Sequence, residues 1–302
     1  MTVSEAVSAI KQGGMPAALR GALWMCGALL SFSVMAIAAR ELLATMGSFE
    51  ILFLRSLVSF VLVLAILPRF GLGVLRTRLL GVHVVRNVLH FGGQYAWVYA
   101  IAMLPLATVF AIEFTMPVWT ALLAMIILGE RLNRGRVVML VLGLAGVLII
   151  LKPGFAIVQP AALAMLAGSF AYASVNIATK RLVKNDSAFA ILFYMSAIQL
   201  PLGLFPALSQ WVSPGIAELP WIVAIGAAGL SAHYCLTRAL RIADAMVVVP
   251  IDFLRLPLIA VMGMVFYGEP LELSIMLGAA VIFAGTYYSI RRESIGRLDP
   301  RP

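Results

Sequence analysis

Ten stretches of mostly apolar residues follow one another along the chain, divided by short segments rich in Arg, Lys, Gly and Pro. They run Gly21–Ala39, Phe49–Leu67, Val82–Ala102, Leu106–Leu128, Arg136–Leu151, Pro160–Thr179, Ala188–Leu208, Leu219–Ala239, Met246–Tyr267 and Ser274–Ile290. About 20 such residues in a helix cross the hydrocarbon layer of a bilayer, so each stretch reads as one crossing. A water-soluble fold would need more polar surface than this chain has. Only 12% of its 302 residues are charged and its mean hydropathy is +1.03, against about 25% charged residues in a soluble domain. The spacing therefore predicts an all-α integral membrane protein with ten transmembrane helices. Ala36-Ile37-Ala38 resembles a signal-peptidase site, but the apolar run before it exceeds the 7 to 15 residues or so of a secretory signal. The first helix is expected to be retained.

A formal charge of +9 and an isoelectric point near 10.0 raise the question of nucleic acid, which the placement of the charges answers. Lys11 and Arg20; Arg69, Arg76 and Arg78; Arg131, Arg134 and Arg136; Lys180, Arg181 and Lys184; Arg241; and Arg291, Arg292, Arg297 and Arg301 all fall on one side of the predicted membrane. Arg40 and Lys152 fall on the other, and Arg55, Arg86, Arg238 and Arg255 lie within spans or at their edges. Loops rich in Lys and Arg stay in the cytoplasm, so both termini are predicted cytoplasmic and the basic surplus reflects topology. Membrane lipid and a small solute are the expected partners, with no nucleic acid; the sequence leaves the oligomeric state open. Cys26 and Cys235 lie in apolar runs and read as small packing residues.

The chain also repeats itself. Setting Gly129-Glu130 on Gly268-Glu269 aligns, without gaps, Tyr95 with Tyr234, Ala100 with Ala239, Val109 with Val248, Phe114 with Phe253 and Ala145-Gly146 with Ala284-Gly285, and places Glu113 on Asp252. Each half holds five spans. Because five is odd, the second half enters the membrane from the opposite face, which makes an inverted repeat. Such repeats hold a site near the midplane and expose it to each side in turn by rocking one bundle against the other. The predicted division is a segment over residues 1–18, repeats over 19–152 and 153–291, and a tail over 292–302.

With Phe53-Leu54-Arg55 early in the second span, Pro105-Leu106-Ala107 before the fourth, and Gly-Glu pairs at Glu130 and Glu269, this organisation resembles the drug/metabolite transporter superfamily, specifically its ten-helix EamA branch. Its composition is loosely most similar to YddG-type exporters of aromatic amino acids. The resemblance implies a carrier of the bacterial inner membrane for small organic solutes, with a central cavity lined mainly by the third, fourth, eighth and ninth helices.

Polar groups inside spans are costly in lipid and must face a partner or a wet cavity. In the third span His83, Asn87, His90, Gln94 and Trp97 recur at intervals of three and four, which puts them on one helical face. Asn87, His90, Gln94 and Trp97 are candidate cavity residues, whereas His83 lies near the cytoplasmic end; interhelical hydrogen bonding is the alternative role for such groups. Trp24, Tyr95, Tyr99, Trp119, Tyr172, Asn176, His233 and Tyr234 complete the candidate substrate-binding set. Trp211 and Trp221 beside the outer loop read as interfacial anchors.

Arg55 and Glu113 match in depth near the outer face and are expected to form a structural or gating pair, with direct substrate contact as the alternative, while Asp252 can reach Arg238 or Arg255 near the inner face. Gly129 with Glu130, and Gly268 with Glu269, are expected to form hinges or caps, the glycine ending one helix and the carboxylate meeting the dipole of the next. Gly143, Gly146, Gly278 and Gly285 suit close helix contacts. No phosphate-binding loop, zinc motif or nucleophile motif occurs, so neither an ATP engine nor an enzyme is expected, and no metal or cofactor. The sequence favours a secondary carrier of a small amphipathic metabolite, most naturally an amino acid moving outward. Phosphorylated solutes such as nucleotide sugars or sugar phosphates, or drugs, are the alternative, the phosphorylated ones disfavoured if carboxylates neutralise the four membrane arginines; a membrane-embedded enzyme is the remote one.

Overall fold

A computed structural model describes residues 17–129, 133–152, 159–243, 248 and 251–298. Helices account for every span: α1 (Ala17–Leu42), α2 (Ser48–Ile66), α3 (Leu80–Met103), α4a (Leu106–Glu113), α4b (Met116–Leu128), α5 (Arg134–Leu151), α6 (Pro160–Leu182), α7 (Ala188–Ala207), α8 (Leu219–Ile242), α9 (Arg255–Tyr267) and α10 (Leu273–Leu298). Among the described residues eight spans, with α4a and α4b forming one, are long and apolar enough to cross a membrane. The others are α3, whose polar face lowers its hydropathy, and α9, of which only 13 residues follow a short helical turn at 251–253.

The break in the fourth span is written in its prolines. Pro117 has no N–H to donate to the Glu113 carbonyl, so the helix turns at Phe114 and Thr115 and restarts with Pro117 in its first turn. The Thr115 hydroxyl donates to the Ile112 carbonyl at 2.8 Å and Ser169 of α6 donates to the same oxygen at 3.0 Å, so the irregular backbone is satisfied from within. The ninth span turns at Leu254 for the same reason, since Pro257 has no N–H for the Phe253 carbonyl.

Packing follows the inverted repeat. Helix α1 lies along α8 as its counterpart α6 lies along α3, while α2 pairs with α7 and α5 with α10. Phe114 and Phe253, equivalent in the repeat, stack on each other at 4.2 Å with their planes 17° apart, as expected of residues flanking a pseudo-two-fold axis. Reciprocity is equally clear between α5 and α10: Gly146 faces Gly278 and Ile282, and its equivalent Gly285 faces Met139 and Leu142. Gly143 instead admits Val118 of α4b. Small residues let these backbones approach, which is what drives helix association where lipid is as apolar as the side chains.

Candidate transport cavity

Between the two repeats lies a cavity of about 250 Å³. One part of its wall comprises Arg55 from α2, His90, Gln94 and Trp97 from α3, Glu113, Tyr172 from α6, His233 from α8, Asp252 and Arg255. From there the lining descends through Asn176 and Thr179 of α6, Val183 just after it, Ala188 and Ile191 of α7, and Thr237 and Leu240 of α8. These are the ends of α6 and α8 and the start of α7, so the cavity extends toward the basic end of the bundle.

The opposite end is tied shut. Glu269, following the left-handed Gly268 that ends α9 (φ 64°), accepts from Arg40 Nη2 of α1 at 2.7 Å and from the Leu106 N–H at the start of α4a, also at 2.7 Å. Arg40 Nη2 also donates to the Leu104 carbonyl at 2.8 Å. The guanidinium lies over the Tyr267 ring, 5.4 Å from its centre, and the Tyr267 hydroxyl donates to Glu41 at 2.8 Å. Glu269 was expected to meet the helix that follows it; it caps α4a, in the other repeat, satisfying a donor that the helix start leaves free. Gly129 ends α4b in the same left-handed conformation (φ 65°), and Glu130 lies outside the described residues.

The α3 stripe divides along its length. His90 and Gln94 join a buried network in which Gln199 Nε2 of α7 lies 2.8 Å from His90 Nδ1 and Gln94 Nε2 lies 3.3 Å from it. The His90 ring packs 5.6 Å from Tyr172 and 5.4 Å from His233. Trp97 closes the stripe, edge-on to Phe110. Asn87 does not line the cavity: its amide donates to the Tyr194 carbonyl and accepts from Arg86 Nη1 at 2.7 Å. His83 is fully buried and pairs with Asp186 at 2.8 Å, a carboxylate that also accepts from Thr77, so the histidine ties three segments together at the basic end.

Several expected lining residues point elsewhere. Tyr95 stacks on Phe49 at 4.5 Å and is exposed on the outside of the bundle, because one step from Gln94 rotates it about 100° off the stripe. Tyr99 packs among core apolar side chains, and Trp119 donates to Thr115 and meets Phe170 edge-on. Trp24 meets Tyr234 edge-on and lies beneath Arg238, whose guanidinium is 5.6 Å from the indole. Tyr172, Asn176, His233 and Tyr234 do border the cavity.

One expected ion pair exchanges partners: Glu113 meets Arg255 at 3.2 Å rather than Arg55. Of the two arginines within reach of Asp252, it approaches Arg255, three residues on, at 3.5 Å. Phe32, Phe110 and Phe114 surround the Arg255 guanidinium with centroids 4.5, 5.2 and 5.1 Å away. Arg255 is thus held by two carboxylates and three rings. Arg55, 4% exposed, has no carboxylate partner among the described residues, and its Nε has no hydrogen bond. Arg86 makes only neutral contacts among them, to Asn87 and, at 3.2 Å, to Thr179 Oγ1. Arg86, Thr179, Thr237 and Gln199 were missing from the candidate set; the rule that singled out Gln94, a polar group inside an apolar run, applies equally to Gln199 and Arg86. Among the described residues no three His, Cys, Asp or Glu side chains are grouped to hold a metal.

Two inverted helical bundles around a largely apolar cavity with ionic groups in its wall, tied at one end, define a multi-pass membrane protein. The chain matches the EamA-like transporter family twice, over residues 19–152 and 159–291, and belongs to that family. It is 28% identical over 275 residues to an S-adenosylmethionine uptake transporter of Rickettsia prowazekii, covering 91% of this chain and 94% of that one. It is 30% identical over 279 residues to a riboflavin transporter of Rhizobium johnstonii, covering 91% and 92%. A solved crystal structure 20% identical in sequence superposes with a TM-score of 0.65 over 92% of this chain and 98% of the other, and shares its fold. Neither named relative is described as an amino acid exporter.

Proposed function

We propose that the protein is a secondary carrier of the bacterial inner membrane, with both termini cytoplasmic, that moves a small solute of the amino-acid class by alternating access. The cavity carries this reading: it sits on the repeat axis, is walled by ionic, amide and aromatic groups, and is reached from the basic end while Glu269 bridges α1, α4a and α9 at the other. An inverted repeat opens the other end by exchanging the conformations of its halves. At about 250 Å³ the cavity falls just below the usual range of ligand pockets, about 300 to 1,000 Å³, which suits a single small metabolite. S-adenosylmethionine, which the Rickettsia relative is named for, is itself an amino acid carrying a heteroaromatic ring, so that relative and the resemblance to amino-acid exporters meet in one chemical class. Net flow follows the solute's gradient, outward for a metabolite accumulated inside and inward for one supplied from outside.

Counterflow tests the proposal. Proteoliposomes preloaded separately with S-adenosylmethionine, tryptophan, phenylalanine, methionine or riboflavin should exchange labelled solute saturably for at least one amino-acid-class compound, with or without a pH gradient. Exchange confined to riboflavin, or absent throughout, would refute it.

A further inference from the structure

Among the described residues three arginines line the cavity, and one of them, Arg255, meets carboxylates. Arg255 holds both of the cavity's carboxylates, Glu113 and Asp252, leaving Arg55 and Arg86 as cationic groups that are 4% and 6% exposed and have no acidic partner among the described residues. Burying an uncompensated charge costs several kcal/mol, and in a membrane protein such a charge marks a solute or ion path. A guanidinium carries five N–H donors. Two of the Arg86 nitrogens are spent on neutral oxygens, and no hydrogen bond to Arg55 is present among the described residues.

The placement of Arg55 is built rather than incidental. Helix α8 presents Gly229 beneath it, and a Cβ there would stand 2.9 Å from Arg55 Nε and 3.0 Å from Nη2, so the bare backbone is what lets the guanidinium lie against the wall. The aromatic and amide groups of the cavity adjoin the two cations. Tyr172 and His233 line the same cavity as Arg55 and Arg86, and their rings pack 5.6 and 5.4 Å from His90. A flat ring and an anion could therefore be held side by side.

Resting on the carrier reading, the geometry points to an anion subsite formed by Arg55 and Arg86 that receives the carboxylate of the transported solute. Arginine suits this role because its planar fork matches the two oxygens of a carboxylate. Glu113 and Asp252, already engaged by Arg255, anchor that third cation and leave the first two for the solute.

The test is binding to the purified, detergent-solubilised full-length protein, read as thermal stabilisation, so that it does not depend on transport. The probes are tryptophan, methionine and indole-3-acetate, each against the amide of its carboxyl group, with the uncharged indole-3-acetamide as the cleanest comparison, and with glucose 6-phosphate as a phosphate probe and S-adenosylmethionine as a further carboxylate. At least one acid should bind tenfold or more tightly than its amide. Arg55→Gln and Arg86→Gln should each weaken the acid about tenfold and the amide little, as charged hydrogen bonds are lost. Should either Gln variant fail to fold, Arg55→Lys and Arg86→Lys keep the charge and remove the fork, and the acid preference should fall without disappearing. Equal binding of acid and amide by the wild type, no stabilisation by any carboxylate, or stabilisation by the phosphate alone would each overturn the subsite. Saturable counterflow alongside any of those results would show that the carrier reading survives the loss of the subsite; failure of counterflow with acid-selective binding would show the reverse.

Discussion

Replacing Glu269 with Gln should open the closed end of the bundle. The carboxylate accepts two hydrogen bonds of 2.7 Å, one from Arg40 and one from the Leu106 N–H at the α4a terminus. Hydrogen bonds to charged groups contribute about 1.5 to 3 kcal/mol each when fully formed. With side-chain exposures of 22% for Arg40 and 12% for Glu269, the pair lies between a surface ion pair and a buried one, and the amide keeps part of the geometry. The net loss is then about 2 kcal/mol, which at 1.4 kcal/mol per tenfold is a shift of about 30-fold toward the state open at that end. Met35 lines the cavity wall and is 8% exposed, so a Met35→Cys substitution reports the opening once Cys26 and Cys235 have been replaced. In right-side-out vesicles, labelling of that reporter by a membrane-impermeant maleimide should accelerate by tenfold or more in Glu269→Gln. Glu272→Gln, three residues away on an exposed pair with Lys152, is the control and should leave the rate unchanged. An unaltered rate in Glu269→Gln, or an equal rise in the control, would refute the tie.

Gly229→Ala should leave the fold intact, because the atoms its Cβ meets belong to the movable end of Arg55, but should cut counterflow at least tenfold; unchanged kinetics would remove Gly229 as the seat of the guanidinium. A double-mutant cycle of Phe114→Leu and Phe253→Leu, read by thermal unfolding in detergent, should give a coupling of about 0.5 to 1.5 kcal/mol for the stacked pair, and additive losses would count against contact across the axis. Lys152 holds the Glu272 carboxyl below its ordinary value near 4.5. A depressed folded pKa stabilises above the unfolded value and loses that contribution as pH falls through the folded one. Both side chains are nearly half exposed, so Glu272→Gln should cost less than about 1 kcal/mol at pH 7 and the gap from wild type should close on acidification toward pH 3; a gap that widens there would invert the sign.

The parts of this fold that obey a one-dimensional rule were legible in the sequence. Lipid thickness sets span length, so the helices could be located from hydropathy, and the self-alignment that paired Phe114 with Phe253 anticipated residues that meet face to face. The α3 stripe set His90, Gln94 and Trp97 on one face, and all three border the cavity, since helical periodicity fixes which residues share a face. It also implied that Tyr95 points away, a consequence obscured by treating aromatic content as evidence of a cavity. What sequence could not supply was azimuth between helices. Arg55 and Glu113 agree in depth, but depth does not say which neighbour lies across the groove; α2 turns Arg55 toward Gly229 of α8, and the bend after Glu113 directs that carboxylate to Arg255 of α9. The error mattered chemically, because neutralising Arg55 on paper removed the charge on which an anion subsite depends.

The same symmetry carries the gating argument to the other end of the molecule. The turns joining α1 to α2 and α6 to α7 have the same form at a spacing of 140 residues, which sets Lys180 opposite Arg40. The longer alignment sets Glu130 opposite Glu269 and Ala245 opposite Leu106. If one Gly-Glu pair closes one end by joining a basic helix terminus to a helix start in the other repeat, its twin is placed by sequence to do so at the opposite end when the halves exchange conformations. Only one tie needs to hold at a time, and the cavity then faces the untied side. Glu130→Gln should therefore act opposite to Glu269→Gln: it should slow maleimide labelling of the Met35→Cys reporter from outside, and the double variant should return the rate toward wild type, because each substitution weakens one of two competing states. Acceleration by both single variants would mean that the carboxylates simply stabilise the folded bundle, without opposing each other across the repeat.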